Sequence, residues 1–311
     1  MISMLVVLTG GTGGAKLIEG LSHAIDPAQL TIICNTADDF VLHGLNISPD
    51  LDTIMYTLAG LSDPAQGWGI QGDTFTVMRQ LEKLGGETWF KLGDKDIATH
   101  ITRTRLLRAG LKLSDVTDRL REHFQIKARI FPISNDGIET RVETPEGVIS
   151  FQEYFVKRRW QPEVKKVFYA GVKNSRPAPD VLDAIGAAAG IIICPSNPVT
   201  SIGPILAVPG VRNALKQVTA PVIGISPIIG ESAISGPAHK LMAAQGMEPS
   251  ALGVAKGYAD FLDQFMIDSE DEALASKLEA LGIGVVATSI RMKSLGNKQG
   301  LARRLLALVD K

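Results

Sequence analysis

The residues best suited to chemistry begin with a glycine loop, GGTGGAK at residues 10–16. It lies between a short apolar run and a helical pattern, where glycine lets backbone approach a phosphate and the helix N-terminus favours an anion. The spacing fits neither the dinucleotide fingerprint nor the P-loop. We interpret the loop as a phosphate or nucleotide site of another kind, with a purely steric turn as the alternative. Its candidate residues are Gly10, Gly11, Thr12, Gly13, Gly14 and Lys16.

Two aspartate pairs follow within fifteen residues. Asp38 and Asp39 come after the second predicted strand, and Asp50 and Asp52 stand just before an apolar helix. Capping of that helix is one explanation for the second pair. Almost no basic residues lie nearby in the sequence, and hard oxygen ligands of this kind suit Mg²⁺ held jointly with substrate phosphates. We therefore expect a magnesium site here.

A third segment, KLGDKD at residues 91–96, leads into a helix that carries His100 and Arg103. Helical spacing would bring Lys91, Asp96, His100 and Arg103 near one another. An ordinary charged helix, with its acids first and its bases last, is the simpler interpretation. His100 is a candidate general base, but a hydrogen-bonded structural histidine is the commoner case.

Small polar loops follow two later apolar strands, at residues 194–204 and 225–230. In the first loop Ser196, Asn197, Thr200 and Ser201 could donate hydrogen bonds to a phosphate, a base or a sugar, and Asn35 ends the second strand in a similar way. Turn chemistry alone also explains such residues.

The elements that position these segments alternate between strand and helix. Apolar runs predict strands at 4–8, 31–34, 129–131, 140–142, 167–170, 191–194, 222–225, 265–267 and 284–287. Helical patterns, beginning with the one after the glycine loop, lie near 51–60, 75–84, 97–109, 114–123, 179–187, 210–217, 251–263, 270–281 and 298–309. Strands separated by helices predict an α/β fold with a mostly parallel sheet covered on both faces. We expect one domain over residues 1–311, with an inserted helical lobe at about 60–125.

Composition narrows the function further. The 311 residues carry a net charge of −1, which gives no bulk basic surface for nucleic acid. Residues 1–100 hold 12 acidic and 5 basic residues, so the first third is the place to look for a cation. Cys34 and Cys194 have no metal or redox spacing and are expected to be buried thiols. No signal peptide or membrane span is evident, so we expect a cytoplasmic protein.

Six motifs in order resemble the 2-phospho-L-lactate transferase family of coenzyme F420 biosynthesis. They are GGTGGAK (10–16), NTADD (35–39), SPDLDT (48–53), KLGDKD (91–96), PSNPVTSIG (195–203) and SPIIG (226–230). The resemblance covers about residues 5–265, and the tail after about 270 carries no recognised motif.

The resemblance implies a Rossmann-like, Mg²⁺-dependent homodimer. Such an enzyme moves a phospholactyl or enolpyruvyl-phosphate group from a guanosine diphosphate ester to the ribityl hydroxyl of the deazaflavin Fo and releases GMP. By position, Asp52 and Lys91 would contact Fo, while Asp38, Asp39 and Asp50 would hold the metal. The glycine loop and residues 195–203 would bind the donor. Asp50 or Asp52 would orient or deprotonate the hydroxyl, and Asp52→Asn is expected to abolish transfer and leave the fold intact.

Two other functions remain open from the sequence. A regulator that binds UDP-sugars without turnover belongs to the same superfamily and would not need an acceptor site. An NAD(P)-dependent oxidoreductase is disfavoured by the broken fingerprint. The three-carbon part of the donor, derived from phospholactate, phosphoenolpyruvate or phosphoglycerate, is not determined by these motifs.

Overall fold

A computed structural model describes residues 3–230, 232–233 and 236–310 of the chain. The strands are β1 (Leu5–Thr9), β2 (Leu30–Cys34), β3 (Phe40–Leu42), β4 (Leu45–Ile47), β5 (Arg129–Pro132), β6 (Glu139–Thr144), β7 (Gly147–Ser150), β8 (Lys166–Ala170), β9 (Gly190–Ile193), β10 (Val222–Ile225), β11 (Ile228–Ile229), β12 (Ser232–Ala233), β13 (Gln264–Ile267) and β14 (Gly284–Ala287). The α-helices are α1 (Gly11–Ser22), α2 (Pro49–Leu58), α3 (Thr76–Lys83), α4 (Asp94–Arg108), α5 (Leu113–His123), α6 (Val181–Gly186), α7 (Ile202–Ala207), α8 (Val211–Gln217), α9 (Ala238–Ala244), α10 (Ala251–Tyr258), α11 (Ala275–Glu279) and α12 (Leu295–Val309).

The central sheet has seven strands in the order β14-β13-β10-β9-β1-β2-β5. Every neighbouring pair is parallel, and Val7 of β1 pairs with Ile32 on one side and Ile192 on the other. All residues of β1, β2, β9 and β10 are buried, as expected of apolar strands covered on both faces. The predicted α/β fold is confirmed.

Two apolar layers cover the sheet because side chains alternate along each strand. Leu5 and Val7 pack with α1, α2, α5 and α12, whereas Val6 and Leu8 pack with the helices α6 to α11. The fold therefore has the three layers of a doubly wound domain. Cys34 and Cys194 are buried free thiols, as predicted.

The strand order of the sheet reverses at β1, because later strands are added on the other side of it. It proceeds from β1 to β2 and β5 on one side, and then returns to β9 on the other side of β1. The loops that leave the carboxyl ends of β1 and β9 therefore diverge, and such a point is where open α/β sheets bind ligands.

Two predicted strands belong to a different sheet from the one expected. β6 and β8 pair antiparallel with each other, and β6 also pairs antiparallel with β7. The reason lies in the pattern of β6, in which half-exposed Glu139, Arg141 and Glu143 alternate with buried residues. A strand with one polar face cannot lie inside a sheet covered on both faces.

The region between β2 and β5 contains an additional small core. The hairpin residues Leu42 and Ile47 pack with Met78, Leu92 and Ile97 from the segment that holds α3 and α4. Within residues 60–125 the structure has α3, α4 and α5 and no strand longer than an isolated bridge. The organisation as one domain with an inserted lobe stays a prediction. Over the described part of the chain, no helix combines the length and hydropathy that crossing a bilayer requires.

Candidate active site

A cleft of about 630 Å³ lies at the carboxyl edge of the sheet, beside the point where β1 and β9 diverge. Most of the predicted site residues line it, namely Gly10, Gly11, Thr12, Gly13, Asp38, Asp50, Asp52, Lys91, Ser196, Asn197, Thr200 and Ser201. Residues up to 191 positions apart in the sequence are thus brought to one place. Gly14, Lys16, Asn35 and Asp39 do not line the cleft.

The glycine loop is packed tightly against the loop that follows β9. A Cβ on Gly10 would lie 2.7 Å from Asp50 Oδ2, and one on Gly13 would lie 2.7 Å from the Pro195 carbonyl oxygen. The Ser196 hydroxyl donates to the Gly10 carbonyl at 2.7 Å. Glycine is therefore required here for close approach between protein segments, which is more than a simple turn needs.

Asp50 reaches the start of α1 from the first turn of α2. Its Oδ1 accepts a hydrogen bond from the Gly11 N–H at 2.8 Å. Gly11 has φ +67°, a left-handed conformation that glycine adopts without strain. One of the free N–H groups that the sequence offered to a phosphate is thus already bound to a carboxylate.

Asn35 joins two buried carboxylates beneath the cleft. Its side-chain nitrogen lies 2.9 Å from Asp50 Oδ2, 3.2 Å from Asp38 Oδ2 and 3.2 Å from the Thr200 carbonyl oxygen. Burial raises the pKa of Asp50 to about 6, although bonds from Asn35 and Gly11 lower it. Burial and the nearby Asp50 raise the pKa of Asp38 well above its usual range. Two carboxylates this close favour either a shared proton or a bound cation.

Two carboxylate oxygens in this group have no hydrogen-bond partner among the described residues. Asp38 Oδ1 and Asp39 Oδ1 are buried and unpaired within the part of the chain that the structure describes. The other oxygen of Asp39 accepts from the Ser48 hydroxyl at 2.6 Å, and burial raises the pKa of Asp39. Unpaired buried oxygens are costly unless they have a further ligand, so the chemistry of this group suits a hard cation.

Asp52 points toward the helical region and forms a buried ion pair. Both terminal nitrogens of Arg103 donate to its two carboxylate oxygens. Burial would lower the pKa of Arg103, but the adjacent Asp52 carboxylate raises it, so the guanidinium stays charged. The sequence offers almost no basic residues close to these aspartates, and the structure supplies a partner for Asp52 from 51 positions along the chain.

His100 lies between the carboxylates of Asp52 and Asp96. Its Nδ1 is 3.6 Å from Asp52 Oδ2, and its Nε2 is 3.3 Å from Asp96 Oδ1. Asp96 also accepts from the Tyr56 hydroxyl at 2.7 Å. Burial raises the pKa of Asp96, but His100, Tyr56 and Arg103 together outweigh it and lower the pKa. Asp52, Asp96 and His100 are close enough to share a metal ion, although Arg103 already neutralises Asp52.

Aromatic side chains make up a large part of the cleft lining, here called the aromatic wall, and the sequence reasoning missed them. They are Tyr56, Trp68, Trp89, Phe90, Phe151 and Phe155. Trp89 and Phe90 directly precede Lys91, and Phe155 lies in a π-helical turn, Glu153–Lys157. The signal available was composition, because two of only three tryptophans in the chain line this cleft.

Lys16 faces a neighbouring cavity instead of the main cleft. This second cavity of about 930 Å³ is also lined by Arg291, Lys293 and Lys298, and it shares Thr12, Gly13 and Pro195 with the cleft. The start of α1 thus separates the aspartate-lined cleft from a cavity whose lining also includes Glu19, Asp63 and Glu270, and there Lys298 pairs with Glu19 and Arg291 with Glu270.

Comparison with known proteins identifies the family. The family model described as 2-phospho-L-lactate transferase CofD matches residues 5–298. The chain is 44% identical to a phosphoenolpyruvate transferase of Streptomyces griseus, with 98% of each chain covered. It is 43% identical to a 2-phospho-L-lactate transferase of Methanosarcina mazei, over 96% of this chain and 98% of that one.

Solved structures support the fold. A UPF0052-family protein of Bacillus halodurans superposes with a TM-score of 0.68 at 19% identity, over 98% of this chain and 99% of the other. The family match continues through the tail in which the sequence showed no motif, and it confirms the resemblance carried by the six motifs. The chain therefore belongs to the 2-phospho-L-lactate transferase CofD family and is a transferase.

Proposed function

We propose that this protein moves a phospholactyl or enolpyruvyl-phosphate group from a guanosine diphosphate ester to the terminal ribityl hydroxyl of Fo. The products would be F420-0 or dehydro-F420-0 and GMP. The observation that carries the proposal is one cleft that is lined together by a glycine loop, buried aspartates and the aromatic side chains. A phosphorylated donor and a planar acceptor need these three surfaces together.

The aromatic wall suits the acceptor. A flat tricyclic ring gains apolar burial and offset stacking from side chains such as Trp89, Phe90 and Phe155. Lys91 and Asp52 line the same cleft and offer a donor and an acceptor for the polar edge and the ribityl chain. These are the two positions that the family resemblance assigns to Fo.

The donor is proposed to lie along the glycine loop and the loop after β9. Ser196, Asn197, Thr200 and Ser201 supply short polar groups there. In the adjoining cavity Lys298 and Arg291 pair with Glu19 and Glu270, so Lys16 and Lys293 are the basic side chains proposed to meet an anion there. A diphosphate that crosses the start of α1 would contact both surfaces.

Asp38 and Asp50, with Asp39 beside them, are proposed to hold Mg²⁺. Their unpaired or shared oxygens fit a cation that prefers oxygen ligands, whereas the group at Asp52 includes a histidine nitrogen and a guanidinium. When bound, Mg²⁺ would reduce the negative charge on the diphosphate and on the leaving GMP.

Direct displacement is the reaction that these residues support. The hydroxyl oxygen of Fo forms a bond to the phosphorus distal to guanosine, and the bond from that phosphorus to the bridging oxygen breaks as GMP leaves. Asp50 or Asp52 orients the hydroxyl and accepts its hydrogen. Positioning and charge stabilisation are the main requirements of such a transfer, so no covalent intermediate is invoked.

The test is GMP release from the purified protein with Mg²⁺, Fo and the guanosine diphosphate ester of lactate or enolpyruvate. GMP that appears only with Fo supports the proposal, and competing donors followed by product mass identify the three-carbon group. Binding of a UDP-sugar with no GMP release would instead support a nucleotide-sugar regulator. In the same assay Asp38→Asn, which removes one charge from a proposed metal ligand and keeps its size, is expected to raise the Mg²⁺ concentration needed for activity.

A homodimer stays a prediction that rests on the family resemblance, and a cytoplasmic location stays a prediction from the sequence. Sedimentation at several protein concentrations tests the first. A dimer is expected, and a monomer at all concentrations would contradict it.

A further inference from the structure

We propose that Arg103 is a positioning residue that fixes Asp52 and sets the spacing between the aromatic wall and the glycine loop. The proposal rests on the proposed function for its kinetic assay. It names a residue outside the motifs that carried the family resemblance and gives it a role in acceptor binding.

Arg103 is buried and paired with Asp52. Its side chain is 1% exposed, and its planar fork donates to both oxygens of Asp52. One of the same nitrogens lies 3.4 Å from the Asn46 carbonyl oxygen in β4. A two-point contact of this kind holds a carboxylate in one orientation, which a single ammonium cannot do.

Asp50 and Asp52 attach the first turn of α2 to two different parts of the molecule. Asp50, two residues earlier, bonds to the Gly11 N–H at the start of α1, whereas Asp52 bonds to Arg103 on α4. The first turn of α2 is thus attached to the glycine loop on one side and to the helical region on the other. A change at either attachment is transmitted through one rigid turn.

The segment that precedes α4 contributes to the aromatic wall of the cleft. Trp89, Phe90 and Lys91 precede α4 by only a few residues and line the cleft with Asp52. Arg103 joins α4 to α2 through the pair with Asp52 and to β4 through the Asn46 carbonyl oxygen, so we infer that it fixes the distance from this segment to the first turn of α2 and hence to the glycine loop. The side chain itself is not among the cleft-lining residues, so it acts through Asp52 and does not touch the substrate.

His100 and Asp96 complete the support behind Asp52. Arg103 lies 3.2 Å from His100 Nδ1, and His100 is also close to both Asp52 and Asp96. With the fork in place, each Asp52 oxygen keeps one lone pair for a substrate hydroxyl. Without it, two buried carboxylates face each other across one histidine, and Asp52 is expected to turn toward solvent or toward His100.

The kinetic test compares Arg103→Met, Arg103→Lys and the control Arg105→Met, an exposed position on the same helix. Arg103→Met is expected to lower kcat by about 100-fold, as misplacement by roughly 1 Å can do, and to raise KM for Fo by about tenfold. KM for the donor should rise by less than KM for Fo, because Asp52 is assigned to the acceptor and the glycine loop is attached to the same turn only through Asp50. Lysine keeps the charge but loses the fork, so it should restore activity only in part.

The outcomes separate positioning from a general structural role. An equal rise in the KM for Fo and the KM for the donor would overturn the proposal. So would an Arg103→Lys variant as active as wild type. So would activity of Arg103→Met within about threefold of the Arg105→Met control, which as a surface change should be nearly neutral.

A second readout does not depend on turnover. Hydrogen exchange at residues 10–13 and 48–53 is expected to rise in Arg103→Met and to stay unchanged in Arg105→Met. Wild-type protein without Fo-dependent GMP release would refute the proposed function, but the exchange data would still decide the role of Arg103. Unchanged exchange in both segments would overturn it.

Discussion

The buried pair of Asp52 and Arg103 gives the sharpest prediction about stability. Asp52→Asn removes the carboxylate charge and leaves the Arg103 guanidinium buried at 1% exposure without its counter-charge. Removing one partner of a buried pair costs about 3–5 kcal/mol in the free energy of unfolding. The asparagine keeps one carbonyl oxygen as an acceptor, so we expect the lower end of that range. Asp52→Asn therefore cannot be assumed to leave the fold intact, contrary to the expectation from sequence alone.

The matching change in Tm follows from chain length. An unfolding entropy of about 2.1 cal/mol/K per residue over 311 residues converts 3 kcal/mol into a loss of about 5 °C. Arg103→Met should cost as much or more, because it leaves Asp52 uncompensated beside Asp96. The double variant removes both charges and should recover at least about half of the summed loss, since an apolar replacement of a buried pair is often neutral.

The assay is equilibrium urea unfolding of the wild type, both single variants and the double variant. A cycle on the surface pair of Lys256 and Glu248, 3.4 Å apart and about half exposed, serves as the control and should show little coupling. Additivity of the Asp52 and Arg103 changes within about 0.5 kcal/mol would refute the reasoning, because it would mean that the two charges do not depend on each other.

Three further predictions concern the metal site and the glycine loop. In the metal-free protein the pKa of Asp50 is raised to about 6, so the folded state binds a proton more tightly than the unfolded state. The stability of wild type relative to Asp50→Asn should therefore fall as pH rises from about 4 to about 6. Urea midpoints measured across this pH range check the prediction, and a rise in relative stability would contradict it. Chelation should abolish Fo-dependent GMP release and added Mg²⁺ should restore it, whereas full activity after exhaustive chelation would contradict the assignment of Asp38 and Asp50 as ligands. Gly13→Ala places a Cβ 2.7 Å from the Pro195 carbonyl oxygen and should lower activity by about tenfold or more, while Gly300→Ala, which meets nothing within 4 Å, should be silent; equal activity of the two would refute the need for close approach.

The strands of the sheet could be located from the sequence because they are apolar on both faces. The run Leu5–Thr9 and the run Gly190–Ile193 have no polar alternation, which is typical of strands inside a covered parallel sheet. The pairing of β6 with β8 was not predicted, since a strand with one polar face was counted with the others. α7 was also missed because Gly203 and Pro204 in its first turn resemble a loop, although proline is tolerated there.

The site was predictable where residues are close in sequence and unpredictable where they are not. The loop after β2 supplies both Asn35 and Asp38. Asp50 contacts Asn35 because only the short hairpin of β3 and β4 separates the two in the sequence. The pairing of Asp52 with Arg103 depends on how α4 packs on α2, which no local pattern records. Lys16 was placed with the glycine loop by proximity, but it lies along α1 on the side of the second cavity.

The mass of the product formed from Fo tests the proposed transfer reaction. Wild-type protein, Mg²⁺, Fo and the guanosine diphosphate esters of lactate and enolpyruvate are mixed, and both GMP and the deazaflavin product are quantified. We predict one GMP released for each Fo converted, with Fo gaining the mass of one phospholactyl or enolpyruvyl-phosphate group. GMP released without a change in the mass of Fo, or no GMP at all, would contradict the proposed transfer.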